Sequence, residues 1–212
     1  MFNKLKKSLL HINYKLFVAL IVLGLVPTIY TTVRVFFLGQ LPGEWSFSIA
    51  GQLSWVNLIY EIINETIILP LFYFMGKVRE DRAEFSNRVR TGMLIALGLY
   101  GILAALVTAF AEPMLALMAA DDSILEASAA YIRIESVANI FGILTQFALV
   151  ALVTVDKSRY LYALTAARLV LCLAADTFLV STLPVSLNLG VNGIGWSNIL
   201  VNGLLLALSI LL

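Results

Sequence analysis

The stretch TGMLIALGLYGILAALVTAFA, residues 91–111, decides the fold. It carries no charged side chain, with Arg88 and Arg90 before it and Glu112 and Pro113 after it. At ~1.5 Å rise per residue such a run crosses the ~30 Å hydrocarbon core of a bilayer as a helix. Working outward, comparable apolar runs lie at residues 16–37, 48–75, 128–155, 160–183 and 193–212. The spacing predicts an all-α membrane protein, a bundle of six transmembrane helices in a single lobe over residues 1–212. A transmembrane barrel is excluded, because its strands read as short alternating segments.

Composition agrees. Of 212 residues 61% are hydrophobic and 13% charged, against about a quarter charged in a soluble domain. Mean hydropathy is +0.95. The net charge of +1 offers nothing to a nucleic acid. The single cysteine, Cys172, has no partner for an internal disulfide and no metal-ligand spacing around it. The single histidine, His11, stands in a basic N-terminal segment and reads as interfacial. Lys4, Lys6 and Lys7 precede an apolar run too long for a signal peptide, so 16–37 is read as a retained first helix.

Basic residues set the expected orientation. Lys4, Lys6, Lys7 and Lys15 precede helix one; Lys77, Arg79, Arg82, Arg88 and Arg90 follow helix two; Lys157 and Arg159 follow helix four. The intervening loops, 38–47, 112–127 and 184–192, hold no Lys or Arg. The positive-inside rule then predicts a cytoplasmic N-terminus, in a multi-pass protein of a prokaryotic inner membrane. Between helices three and four, Pro113, Met114, Leu115, Leu117 and Met118 beside Asp121 and Asp122 predict a short interfacial helix and an acidic turn. The sequence stops within an apolar run, 204–212, which suggests a piece of a longer chain or a half built to pair with another half.

Charges inside the spans are the candidate functional residues, since each costs on the order of 2.5–3.5 kcal/mol at mid-bilayer unless paired, hydrated or used. On helix two Asn57, Glu61, Asn64 and Glu65 share one face, which must meet water or other helices. Two carboxylates one turn apart suit proton binding and release. On helix five Arg168, Cys172 and Asp176 share a face; on helix four Glu135, Asn139 and Gln146 form a milder stripe. Arg34 either snorkels outward or pairs with a carboxylate of helix two; Arg133 reads as interfacial. Glu61, Glu65 and Asp176 are the proton- or ion-coupling candidates. Arg34, Asn57, Asn64, Glu135, Asn139, Gln146, Arg168 and Cys172 are the cavity-lining candidates. Pro27 and Pro70 mark kinks. The sequence has no catalytic triad, metal cluster or phosphate loop, so neither an enzyme nor a cofactor is expected.

Four phrases carry a resemblance. Phe37-Leu38-Gly39-Gln40-Leu41, Tyr131-Ile132-Arg133-Ile134, Asp156-Lys157-Ser158 and Leu189-Gly190-Val191-Asn192-Gly193-Ile194-Gly195 stand in the order found in the multidrug and toxic compound extrusion (MATE) family. The sequence resembles the N-terminal six-helix lobe of that two-lobe fold. The resemblance implies antiport of small amphipathic organic compounds against protons or sodium ions, with a second six-helix lobe and membrane lipid as partners. It also implies a cation site with an aspartate on helix one and an Asn-x-x-x-Asp pair on helix five. Here Arg34 stands at the first position, Cys172 replaces the asparagine, and Asp176 matches the aspartate. Sodium coupling is therefore not expected, and Arg34 is a candidate internal cation opposite Asp176. Two rivals remain: a flippase for lipid-linked saccharides of the same superfamily, and a non-transporting membrane assembly protein built on small-residue helix packing.

Overall fold

The computed structural model describes residues 14–41, 46–117, 121–155 and 157–212. Lys4, Lys6, Lys7, His11, Met118 and Asp156 lie outside the described residues, as does the side chain of Lys15. The elements are α1 (Tyr14–Gln40), α2 (Ser46–Gly51), α3 (Leu53–Ile63), a π turn (Asn64–Ile68), α4 (Leu69–Gly76), α5 (Arg82–Leu117), α6 (Asp122–Thr154), α7 (Ser158–Leu179) and α8 (Asn192–Leu211). The described residues form helices without a strand. Five spans are long and apolar enough to cross a membrane: Ser48–Gly76, Arg82–Leu117, Asp122–Thr154, Arg159–Leu179 and Asn192–Leu211. The remaining predicted span is α1, 27 residues long.

Three expectations are corrected. The helix expected from residue 91 begins at Arg82, because Asp81 caps it. Its Oδ1 accepts the backbone N–H groups of Ala83 (3.0 Å) and Glu84 (3.1 Å). Glu84 then pairs with Arg88 one turn on at 2.8 Å, and Arg88 Nη1 donates to the Phe74 carbonyl at 3.0 Å, closing the end of α4. Second, among the described residues no separate interfacial helix follows residue 111. Helix α5 runs through Pro113 to Leu117, and α6 starts at Asp122, capped by Asp121, which accepts from Ser123 N at 2.9 Å. The hydrogen bonds from Ser123 hold the exposed Asp121 carboxyl below the usual carboxylate range. Arg133 ties the two helices together there, donating to Glu112 (2.9 Å) and to the Thr108 carbonyl (3.2 Å). Third, the helix expected to reach residue 183 stops at Leu179. The turn after it folds back, with Leu187 N bonding Phe178 O (2.8 Å) and Leu189 N bonding Leu179 O (2.9 Å). This satisfies carbonyls that a helix end leaves open.

The second span carries the largest local departure from an α-helix. Pro70 lacks an N–H, and its ring would strike the carbonyl one turn back. The π turn just before it widens the helix, with Leu69 N reaching Asn64 O five residues back.

Helix α6 lies at the centre and packs most extensively on α5 and α8, while α7 lies against α8 and α1. Small residues permit these approaches. A Cβ on Gly195 would lie 2.6 Å from Ile134 of α6, and one on Gly193 would lie 2.6 Å from the Leu179 carbonyl. Gly190, at φ +62°, makes the left-handed turn before them. The three glycines of the 189–195 phrase thus each have a structural task. On α5, Gly92, Ala96, Tyr100, Ala104, Val107, Ala111 and Leu115 face inward at intervals of three or four, while Leu94, Ile102, Leu106 and Phe110 lie exposed on the opposite side. An apolar exterior around an interior of small residues is how helices pack within lipid.

Candidate functional site

Near the α7–α8 turn, five polar side chains from α1, α6, α7 and α8 meet. Arg34 Nε donates to Asp176 Oδ2 at 2.9 Å and Arg34 Nη2 to Asp176 Oδ1 at 3.0 Å, a two-pronged ion pair. The same Nη2 donates to Asn198 Oδ1 at 3.0 Å. Asn198 Nδ2 donates in turn to Glu135 Oε1 at 2.6 Å, and the Tyr131 hydroxyl donates to that oxygen at 3.2 Å. Asp176 is 1% exposed and Glu135 4%. The chain of contacts is Asp176–Arg34–Asn198–Glu135–Tyr131, and it pins four helices at one level. Helical spacing offered Arg34 a carboxylate on helix two or an outward path; its partner is Asp176 on α7, the residue that the family resemblance set opposite it.

A cavity of about 340 Å³ adjoins this network, lined by Arg34, Tyr131, Glu135 and Asn198 together with Asn57 and Asn139. Asn57 and Asn139 also line a larger cavity of about 510 Å³, whose wall includes Tyr60, Glu61, Asn64, Tyr100, Gln146, Arg168 and Asn202. The two cavities therefore share a wall. The polar stripes of helices two and four face each other across the larger one, and Arg168 of α7 closes it by donating to Asn202 Oδ1 of α8 at 2.5 Å. Among the described residues Glu61 has no ion-pair partner.

Two predicted positions fall elsewhere. Glu65, the second residue of the π turn, is exposed like Glu61 but lies off the wall that Glu61 and Asn64 share. Cys172 lies on neither of these two cavity walls; it is buried among Leu152, Leu164, Ala175, Val201 and Leu205. Among the described residues no three His, Cys, Asp or Glu side chains gather as a metal site.

Tyr131, Asn198 and Asn202 are site residues that the sequence reading passed over. Asn198 and Asn202 stand one turn apart in an apolar helix, a spacing that places two amides on one face. Polar groups there are as informative as charges, because lipid satisfies neither.

Comparison with known proteins locates this arrangement. No curated protein and no solved structure matches the chain at a significant level. The MatE family model matches residues 73–177, the run from α4 to Thr177 that contains Arg133, Glu135, Asn139, Arg168 and Asp176. The sequence phrases, the all-helical bundle of membrane-length spans and this match agree. Through residues 73–177 the chain belongs to the MatE family of multi-pass membrane transporters.

Proposed function

We propose that this chain is one six-helix lobe of a proton-coupled exporter of small organic compounds, oriented with its basic end in the cytoplasm and rocking against a second lobe. One observation carries the reading: a buried carboxylate, Glu135, stands beside a fixed guanidinium on the wall of an open polar cavity. Its direct partners are both neutral, Asn198 and Tyr131, while Arg34 is committed to Asp176. Proton uptake at Glu135 removes the charge facing Arg34 and weakens the Asn198 bridge. Helices α1, α6 and α8 are then free to repack. Solute in the cavity and proton on Glu135 favour different packings, and that difference in affinity is the drive.

The groups facing Glu135 are Arg34 from α1, Tyr131 on α6 itself, Asp176 from α7 and Asn198 from α8. Arg34 fills the space between Asp176 and Asn198 that a bound metal cation would need, which supports protons over sodium. Glu61 and Glu65 are secondary proton carriers in this reading, and Asp176 serves by holding the arginine. A flippase for pyrophosphate-linked saccharides would need a cluster of free basic residues, whereas of the two arginines on these cavity walls Arg34 is neutralised by Asp176 and Arg168 stands alone.

The test is efflux from vesicles containing the full-length protein under an imposed pH gradient. Glu135→Gln keeps the acceptor and the shape but cannot titrate. Gradient-driven export should fall at least tenfold with the melting temperature within a few degrees of wild type. Unchanged export with unchanged pH dependence refutes the reading. Gradient-independent movement of a lipid-linked saccharide would favour the flippase instead.

A further inference from the structure

Lys77, just past the end of α4, does not reach for water. Its Nζ lies 4.6 Å from the Tyr73 ring centroid and 5.7 Å from that of Phe74. Both rings stand in the last turn of α4, so the lysine side chain folds back along the helix toward the apolar span. A lysine at the edge of a span ordinarily extends the other way, into solvent. The two rings are themselves exposed, Tyr73 by 65% and Phe74 by 50%. They meet at 64° with centroids 6.0 Å apart, an open corner with an ammonium above it. Leu69, exposed one turn before Tyr73, continues the apolar track below that corner.

Charge around the corner is unmatched. Asp81 is occupied in capping α5 and Glu84 holds Arg88, which leaves Glu80 beside Lys77, Arg79 and Arg82. Among the described residues none of these three cations forms an ion pair. The bond from Arg88 to the Phe74 carbonyl fastens α5 to the aromatic turn, so the corner is built and not incidental. The cation–ring contacts among the described residues all lie at this basic end, at Lys77 and at the α6–α7 turn. At the α6–α7 turn the cations are engaged: Lys157 donates to the Leu212 carbonyl and Arg159 to the Tyr160 hydroxyl. The Lys77 ammonium has only the two rings and can donate three hydrogen bonds. At the opposite end of the bundle Arg133 is held by Glu112.

We propose that the α4–α5 turn binds the headgroup of an anionic phospholipid from the leaflet on the basic side, with its phosphate at Lys77, Arg79 and Arg82 and its chains running past Tyr73, Phe74 and Leu69. A lipid phosphate needs cationic donors at the depth where aromatic rings mark the edge of the hydrocarbon. The folded-back ammonium stands at that depth. A soluble anion would use the ammonium and leave the exposed rings without a partner. A zwitterionic lipid would bring a second cation to a turn already rich in them. The site is on the outside of the lobe and stands apart from proton coupling at Glu135.

Lipid adducts of the purified full-length protein in a neutral detergent can be counted by native mass spectrometry, with phosphatidylglycerol and phosphatidylcholine of identical chains. Phosphatidylglycerol should bind about tenfold more tightly. Lys77→Gln should weaken it about fivefold and leave phosphatidylcholine unchanged. Tyr73→Ala should weaken it similarly, and Tyr73→Phe, which keeps the ring, should restore it. Arg90→Gln removes the same charge at the same end, but two positions from Arg88 and so on another side of α5; it should matter less than about twofold. Inorganic phosphate in excess should leave the lipid adduct in place. Equal binding of the two lipids overturns the proposal, and so does full displacement by phosphate, which would assign the turn to a soluble anion. Equal losses from Lys77→Gln and Arg90→Gln would also overturn it, showing a diffuse positive field and no site. Lys77 and Arg90 are both exposed, and the wild-type comparison of the two lipids stands even if a variant fails to fold.

Discussion

The two polar regions of the bundle differ in how they are satisfied. Around Asp176 every carboxylate has a direct partner, and the side chains of four helices close on one another. Around Glu61, charges and amides line an open cavity, and several polar atoms have no partner among the described residues. Both regions come from the same kind of sequence, an occasional charge or amide in an apolar helix. Satisfaction, not polarity, separates them. A closed network holds helices in register; an open one waits for a ligand.

Substitutions should reveal this contrast. The largest effect is expected from Asp176→Asn, which leaves the Arg34 guanidinium buried against a neutral amide. Breaking such a pair on one side costs about 3–5 kcal/mol. Melting in detergent should drop steeply, while the double change Arg34→Met with Asp176→Leu should recover most of the loss. A double variant no more stable than the single would show that the pair is not what is being broken. Next comes Gly193→Ala. Its new Cβ would meet the Leu179 carbonyl, which belongs to backbone and cannot swing aside. Pushing α8 from the end of α7 should cost about 1–3 kcal/mol and loosen the Arg34–Asn198 contact with it. A neutral melting temperature would mean that the turn yields freely. The smallest effect is predicted for Glu61→Gln, within about 0.5 kcal/mol of wild type, because no ion pair is lost. A large loss there would erase the distinction between the two regions.

Much of the architecture can be read from the chain. Uninterrupted apolar runs set the spans, and lipid allows few alternatives to helix. Helix ends were less legible, for local reasons. Asp81-Arg82-Ala83-Glu84 has the form of a capping box, yet its position among basic residues reads as loop. Pro113 reads as a stop, but helix α5 continues through it to Leu117. The π turn was announced by Pro70 only as a kink; its extra residue per turn leaves Glu65 off the wall that Glu61 shares with Asn64. In the site, charges drew the eye and amides did not. Helical spacing groups residues on one face but does not say which helix that face will meet. The Arg34–Asp176 contact spans 142 positions, and the phrases resembling the family, not periodicity, brought those two residues together on paper. Asn198, which links them to Glu135, had no such phrase to mark it.

The Arg34–Asp176 pair also bears on energetics of a different kind. A lone charge carried through the membrane's electric field exchanges about 2.3 kcal/mol of work for every 100 mV. A guanidinium and a carboxylate joined at two points travel as a neutral unit, and the field does no net work on them. A lobe that moves with this pair intact therefore draws no voltage dependence from Arg34 or Asp176; only charges without such a partner, and any proton carried across, would feel the field.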